Sequence, residues 1–113
     1  MTQPLYQVKA EFFRTLGHPA RIRILELLAE RDHAVHELLE QIEIEQSNLS
    51  QQLAVLRRAG LVSQQRAAGE VTYTLALPLV RDLLRTAREV LLDQVTGQGA
   101  LQAALRDSLH ESA

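Results

Sequence analysis

The sequence contains no cysteine among its 113 residues. A chain without thiols forms no disulfide framework, binds no metal through thiolate and has no thiol that could sense oxidants. Its first residues lack a basic segment followed by an apolar run, and no stretch approaches the ~18 consecutive apolar residues of a membrane span. We therefore expect a cytoplasmic protein that makes no contact with a membrane.

Positive charge is also scarce, because the formal net charge is −2 at pH 7. Proteins that coat nucleic acid nonspecifically neutralise phosphates with Lys and Arg, so this composition argues against that class. Residues 30–45 contain six acidic side chains and one arginine. Residues 46–74 contain one acidic side chain and three arginines, which are Arg57, Arg58 and Arg66. A DNA-binding surface is expected in the second stretch, where three arginines per chain require two copies and many neutral polar contacts.

Apolar residues recur at intervals of three and four along most of the chain, which predicts amphipathic helices. Five main helices are predicted, over about residues 4–16, 19–30, 34–42, 46–58 and 78–94. Two strand-like stretches, 61–66 and 71–75, flank a turn at 67–70 and form a hairpin. In the tail, Leu101, Leu105 and Leu109 predict a short further helix.

The third and fourth predicted helices are separated by about three residues, and the fourth is polar on its outer face, which is the helix-turn-helix pattern. A hairpin directly after this second helix is a wing. The expected fold class is mainly α with a small β-hairpin, a winged helix-turn-helix in the order α-α-α-α-β-β-α. One domain is expected over residues 1–95, followed by a flexible or short-helical tail over residues 96–113.

This order of elements, together with four sequence segments, resembles the ArsR/SmtB family of bacterial repressors. The segments are LGHPARIRIL at 16–25, VHEL at 35–38, QSNLSQQLAVLRRAGLV at 46–62 and VTYTL at 71–75. The resemblance implies a homodimer built from the first and last helices, with the fourth helix in the major groove of DNA and the hairpin against the backbone or minor groove. The expected members of the dimer interface are Val8, Phe12, Leu83, Leu84, Ala87 and Leu91.

The fourth helix carries an uncharged polar surface suited to DNA. Ser, Asn and Gln side chains hydrogen-bond base edges or phosphates, and arginine adds charge and bidentate contact. An ordinary solvent-exposed face would mix Lys and Glu, which are absent from this run. The residues expected at DNA are Gln46, Ser47, Asn48, Ser50, Gln51 and Gln52 in the groove, with Arg57, Arg58 and Arg66 along phosphates. Arg21 and Arg23, beside the buried stripe of the second helix, are expected in surface pairs.

The metal-sensing sites of the family lack their ligands in this chain. The resemblance places Ala34 and His36 where thiol-based sensors have two cysteines. The positions that match the zinc and cobalt site near the last helix are Leu77, Leu79, Val90 and Asp93. Three aliphatic side chains out of four make a metal site there physically implausible, so no dedicated metal cofactor is expected.

Four histidines remain as other candidate ligands. His18 precedes Pro19 at a joint between helices and is expected to be structural. His33 and His36 are three residues apart and, with His110 in the tail, are weak candidates for a nickel or zinc site. The effector signal is expected to come from a separate effector-sensing protein or from a non-thiol ligand. Direct nickel or zinc sensing through these histidines is the alternative.

The favoured function is therefore a sequence-specific transcriptional regulator that binds a palindromic double-stranded DNA operator as a homodimer. A winged-helix module that binds protein instead of DNA is the alternative, which the low positive charge and the acidic third helix support. An enzyme is not expected. The sequence has no glycine-rich phosphate loop, and Ser108 and His110 lie in a tail without a rigid orienting group.

Overall fold

A computed structural model describes residues 2–95 and 99–112, and describes the side chains of the last helix from 102 to 109. Its elements in chain order are α1 (Leu5–Leu16), α2 (Pro19–Glu30), β1 (His33–Ala34), α3 (Val35–Gln41), α4 (Gln46–Arg58), β2 (Val62–Ala67), β3 (Glu70–Leu75), α5 (Leu79–Gln94) and α6 (Gly99–Ser112). The five main helices and both hairpin strands agree with the sequence prediction to within one residue at each end. The winged helix-turn-helix fold is therefore confirmed.

Local chemistry explains where these helices begin and end. The Nδ1 atom of His18 accepts a hydrogen bond from the Ala20 N–H at 3.2 Å and so caps α2, whose first residue is Pro19. This is the structural role expected of His18. At the end of α4, Gly60 has a φ of +77°, and the Leu61 N–H donates to the Leu56 carbonyl at 3.0 Å. This left-handed glycine closes the helix with few unsatisfied carbonyls.

The strands form one antiparallel sheet in the order β1-β3-β2. The hairpin pairs Val62 with Leu75 at its base and Ala67 with Glu70 at its tip. Its two-residue loop has positive φ at both positions, 54° at Ala68 and 79° at Gly69, as the type I′ turns that match strand twist require. The strand β1 is absent from the sequence prediction.

The chain forms two compact units, Met1–Val80 and Arg81–Ala113. In the first, α2 contributes five buried residues to the core. The largest fully buried side chains of this unit are Ile24, Leu25, Leu28, Leu38, Leu49, Leu53, Leu56 and Leu61. In the second unit, Leu105 of α6 is buried and Arg88 Nη2 donates to Ser108 Oγ at 3.2 Å.

The tail contains a longer helix than the sequence predicts, because α6 has 14 residues. The predicted break between the last two helices includes residues 96–98, which lie outside the described ranges. Among the helices of residues 2–95 and 99–112, none is long and apolar enough to cross a bilayer.

Candidate nucleic-acid interface

The helix-turn-helix is formed by α3, the four-residue connection 42–45 and α4. Ile42 is buried at the end of α3, and the Ile44 N–H donates to its carbonyl at 3.0 Å, which shapes the turn. Leu49, Leu53 and Leu56 are buried on one face of α4. Since these leucines anchor α4 in the core, its other face is free to contact a ligand.

The outer face of α4 is polar and uncharged along its first two turns. Four of the residues expected in the groove are exposed, namely Gln46, Ser47, Ser50 and Gln51, and Asn48 is half-buried. Arg57 and Arg58 are exposed at the opposite end of the helix. The exposed surface of α4 thus has neutral hydrogen-bonding groups at its start and two cations at its end.

Gln52 is the exception among the residues expected at DNA. Its side chain is only 8% exposed, so it is withdrawn from direct contact with bases, contrary to the sequence prediction. Its Oε1 accepts a hydrogen bond from Arg21 Nε at 2.8 Å, and its Nε2 donates to Asn48 Oδ1 at 2.9 Å. Helical spacing explains the burial of Gln52. It follows Leu49 by three residues and precedes Leu56 by four, so it lies on the buried stripe of α4.

Arg21 also differs from the sequence prediction, which assigns it to a surface pair. The half-buried guanidinium binds Gln52 through Nε and donates from Nη1 to the Thr15 carbonyl at 3.1 Å. It therefore connects α2 to the end of α1 and to α4. Arg23 does form the expected type of pair, because its Nη1 lies 3.5 Å from Glu26 Oε1 at a partly exposed position.

The wing presents one cation beside one anion. Arg66 is exposed on β2 and pairs across the hairpin with Val71 of β3. Glu70, the first residue of β3, has its Oε1 atom 2.9 Å from His36 Nε2. Ala68 and Gly69 at the tip are exposed. The exposed side chains of the wing thus include the cation Arg66 on β2 and the anion Glu70 on β3.

Part of the acidic charge near α3 is engaged in local structure. Glu37 Oε1 accepts from the Ala34 N–H at 2.9 Å, and Arg31 Nη2 lies 3.0 Å from Glu37 Oε2. The Ala34 hydrogen bond and, next, the Arg31 guanidinium lower the pKa of Glu37 below its ordinary value. Asp32 Oδ1 accepts from Thr74 Oγ1 of the sheet. Glu37 therefore satisfies a backbone donor at the start of α3, and Asp32 links the segment before β1 to β3.

The candidate metal ligands occupy different surroundings. His33 is only 4% exposed, and within the described part of the chain neither of its ring nitrogens has a hydrogen-bond partner. His36 is exposed and paired with Glu70. The side chain of His110 lies outside the described residues. Among the side chains that the structure describes, those of residues 2–95 and 102–109, no group of three or more His, Asp or Glu is arranged to bind a metal ion.

Comparison with known proteins identifies the family. The profile of the bacterial regulatory proteins of the arsR family matches residues 18–64. The HTH-type transcriptional regulator Rv0081 of Mycobacterium tuberculosis is 53% identical over 106 residues, which cover 93% of each chain. The chain belongs to the ArsR family. The resemblance inferred from the four sequence segments is confirmed.

Solved structures place this ArsR-family protein among winged helix-turn-helix regulators. The crystal structure of Rv0081 matches with a TM-score of 0.75 and 57% identity, over 81% of this chain and 93% of the other. The repressor BigR of Xylella fastidiosa matches with a TM-score of 0.67 and 33% identity, over 80% and 90%. The homodimeric DNA-binding domain of Mb0332 from Mycobacterium bovis matches with a TM-score of 0.67 and 27% identity, over 80% and 82%. The ArsR-family chain is a DNA-binding transcriptional regulator.

Proposed function

We propose that this regulator binds a palindromic operator in double-stranded DNA as a homodimer, with α4 of each protomer in the major groove. The observation that carries the proposal is the outer face of α4, where exposed neutral polar residues lie opposite the buried Leu49, Leu53 and Leu56. Such side chains hydrogen-bond base edges, while Arg57, Arg58 and Arg66 contact phosphates. A two-fold dimer spaces its recognition helices by about 34 Å, one turn of DNA.

The homodimer is supported by apolar side chains that single protomers leave in solvent. On α1, Tyr6 is 72% exposed and Phe13 is 55% exposed. On α5, Val90 and Leu91 are exposed. Among the residues expected at the interface, Val8, Ala87 and Leu91 are exposed, and Phe12, Leu83 and Leu84 are half-buried. Burial of these side chains between two protomers would remove apolar surface from water, and the homodimeric state of the related Mb0332 domain supports the same assembly here.

The experiment begins with selection of bound sequences from a randomised 30-base-pair duplex library, followed by titration of selected and scrambled duplexes at two salt concentrations. Gln51→Ala should reduce the preference for the selected duplex, because a base contact is lost. Arg66→Ala should weaken binding to both duplexes and lower the salt dependence, because a phosphate contact is lost. Gln94→Ala, exposed on α5, is the control. Unchanged affinity and salt dependence in both variants would refute the groove assignment.

We further infer that regulation does not use a metal at the sites known from the resemblance. Ala34, Leu77, Leu79 and Val90 stand at ligand positions without a donor atom, which leaves one donor residue at each site, His36 and Asp93. The effector signal then comes from a separate effector-sensing protein or a non-thiol ligand. The site of action is the cytoplasm, where bacterial operators are found, and the role is regulation of transcription without catalysis, as in the family.

A further inference from the structure

Three polar side chains form a chain of hydrogen bonds from α2 to the start of α4. Arg21 Nε donates to Gln52 Oε1 at 2.8 Å, and Gln52 Nε2 donates to Asn48 Oδ1 at 2.9 Å. The guanidinium is anchored at its other end by the Thr15 carbonyl of α1, at 3.1 Å from Nη1. The middle member of this chain is buried, and its last member, Asn48, is half-buried among the exposed polar residues of α4.

The direction of these hydrogen bonds is fixed by arginine. A guanidinium has donors and no acceptor, so the Gln52 amide must turn its oxygen toward Arg21. Its nitrogen then faces Asn48, so Asn48 must accept this hydrogen bond through its side-chain oxygen. If the Gln52 amide were reversed, its nitrogen would face the Arg21 guanidinium. Two donors would then meet in a buried position, and neither would be satisfied. The Asn48 Nδ2 group is therefore the end of the amide that stays free for a ligand.

We propose that Arg21 and Gln52 are positioning residues that fix Asn48 as a hydrogen-bond donor toward operator DNA. The proposal rests on the placement of α4 in the major groove. A free asparagine pairs with adenine through both ends of its amide, as donor and acceptor at once. With its oxygen turned toward Gln52, Asn48 presents its N–H groups to the ligand. It therefore selects an acceptor, which is either a base atom, such as guanine O6 or N7 or thymine O4, or a phosphate oxygen.

The variant Gln52→Glu tests this polarity directly. Glutamate keeps the size of the side chain and still accepts from Arg21, but it has no donor for Asn48. The Asn48 amide must then turn its nitrogen toward the new carboxylate and its oxygen toward the ligand. Arg21→Lys retains a cationic donor at the first position of the chain and is the conservative control, which should keep the wild-type orientation of both amides.

The first measurement uses the free protein and reports exchange with water of the Asn48 side-chain amide protons by NMR. In the wild type and in Arg21→Lys these protons should exchange freely, because within the described part of the chain no group accepts from them. In Gln52→Glu one of the two protons should be protected, because it donates to the new carboxylate. Equal exchange in the wild type and Gln52→Glu, both folded by the backbone spectrum, would overturn the proposal without any use of DNA.

The second measurement compares the sequences that each protein selects from the randomised duplex library. In Gln52→Glu and in Asn48→Asp, which offers only acceptors, preference at one position of each half-site should shift toward a base that presents a donor, by about threefold to tenfold. The added negative charge weakens all duplexes alike and cancels in these ratios.

If the acceptor is instead a phosphate, Asn48→Ala should lower affinity uniformly across sequences. No effect of Asn48→Ala on affinity or preference would overturn the proposal, whereas failure of the wild type to select any sequence would refute the groove assignment itself.

Discussion

The Nε2 atom of His36, in the first turn of α3, lies 2.9 Å from Oε1 of Glu70, which begins the strand β3 at the tip of the wing. This pair joins the helix-turn-helix to the wing across 34 positions of sequence. Both side chains are mostly exposed, so the contact contributes at most about 1 kcal/mol to stability. Because the same hairpin carries Arg66, which we propose contacts phosphate, the negative charge of Glu70 is expected to lower DNA affinity.

We predict that Glu70→Gln raises the affinity for DNA. Glu70 is the single acidic residue between positions 46 and 74, and its removal reduces the repulsion of nearby phosphates. Affinity for a duplex should rise about twofold to threefold at low salt and less at high salt, where charges are screened. Stability in urea should change by no more than about 0.5 kcal/mol. Glu40→Gln, exposed on α3, is the matched control, and an equal effect in both variants would place the wing away from DNA.

A second prediction concerns strain at the tip of the wing. Ala68 has a φ of 54°, a left-handed conformation that alanine rarely adopts, whereas asparagine followed by glycine is favoured in such turns. Ala68→Asn should therefore stabilise the protein by about 0.5–1 kcal/mol, measured by urea unfolding. Ala67→Asn, at the strand position before it, is the control. A lower stability of Ala68→Asn than of the wild type would contradict this account of the turn.

The helices could be predicted from sequence because local signals mark their ends. Gly17, Pro19 and Gly60 interrupt the apolar periodicity at the boundaries that the structure has. The strand β1 could not be predicted in the same way. It has two residues, and its conformation follows from pairing His33 with Tyr73, forty positions later. No local pattern specifies a contact of that range.

The sequence predicts which residues form the polar face of α4 but not the hydrogen bonds that hold them. The outward direction of Ser50 and Gln51 follows from the buried Leu49, because one and two residues further along a helix the side chains are rotated by about 100° and 200° from that position. The burial of Gln52 is predictable from the sequence, since the same periodicity places it on the buried stripe of α4. Its partner Arg21 could not be inferred, because that hydrogen bond depends on how α2 crosses α4.

A third prediction tests the dimer. Leu91 is 39% exposed on α5, so Leu91→Glu leaves the core of the protomer intact but places a charge in the proposed interface. The loss of one large buried apolar contact costs about 2–5 kcal/mol, and a buried charge costs more. Sedimentation should therefore show monomers. Gln41→Glu adds the same charge at an exposed end of α3 and should stay dimeric. A stable Leu91→Glu dimer would exclude Leu91 from the interface.

A fourth prediction follows from Glu37. The Ala34 N–H and then Arg31 lower the pKa of this carboxylate in the folded chain. A lowered folded pKa means that the stabilisation is present above the ordinary value of 4.5 and is lost as the pH falls through the folded value. Glu37→Gln should therefore be less stable than the wild type in urea at pH 7, and the difference should shrink to nothing in acid. A difference independent of pH would show that ionisation of Glu37 contributes no stability.

The last prediction is that divalent metals change operator affinity little. An allosteric metal must bind one conformation better than another, which requires fixed ligands at an element that moves. Leu77, Leu79 and Val90 are exposed side chains without donor atoms, His33 is buried, and His36 is paired with Glu70. Operator affinity of metal-free protein should therefore shift by less than about tenfold when stoichiometric Ni²⁺, Zn²⁺ or Co²⁺ is added. His36→Ala and His110→Ala are the decisive variants, because a larger shift that either one abolishes would establish direct metal sensing. A larger shift that survives in both variants would point instead to ligands elsewhere in the chain, and would equally contradict the prediction.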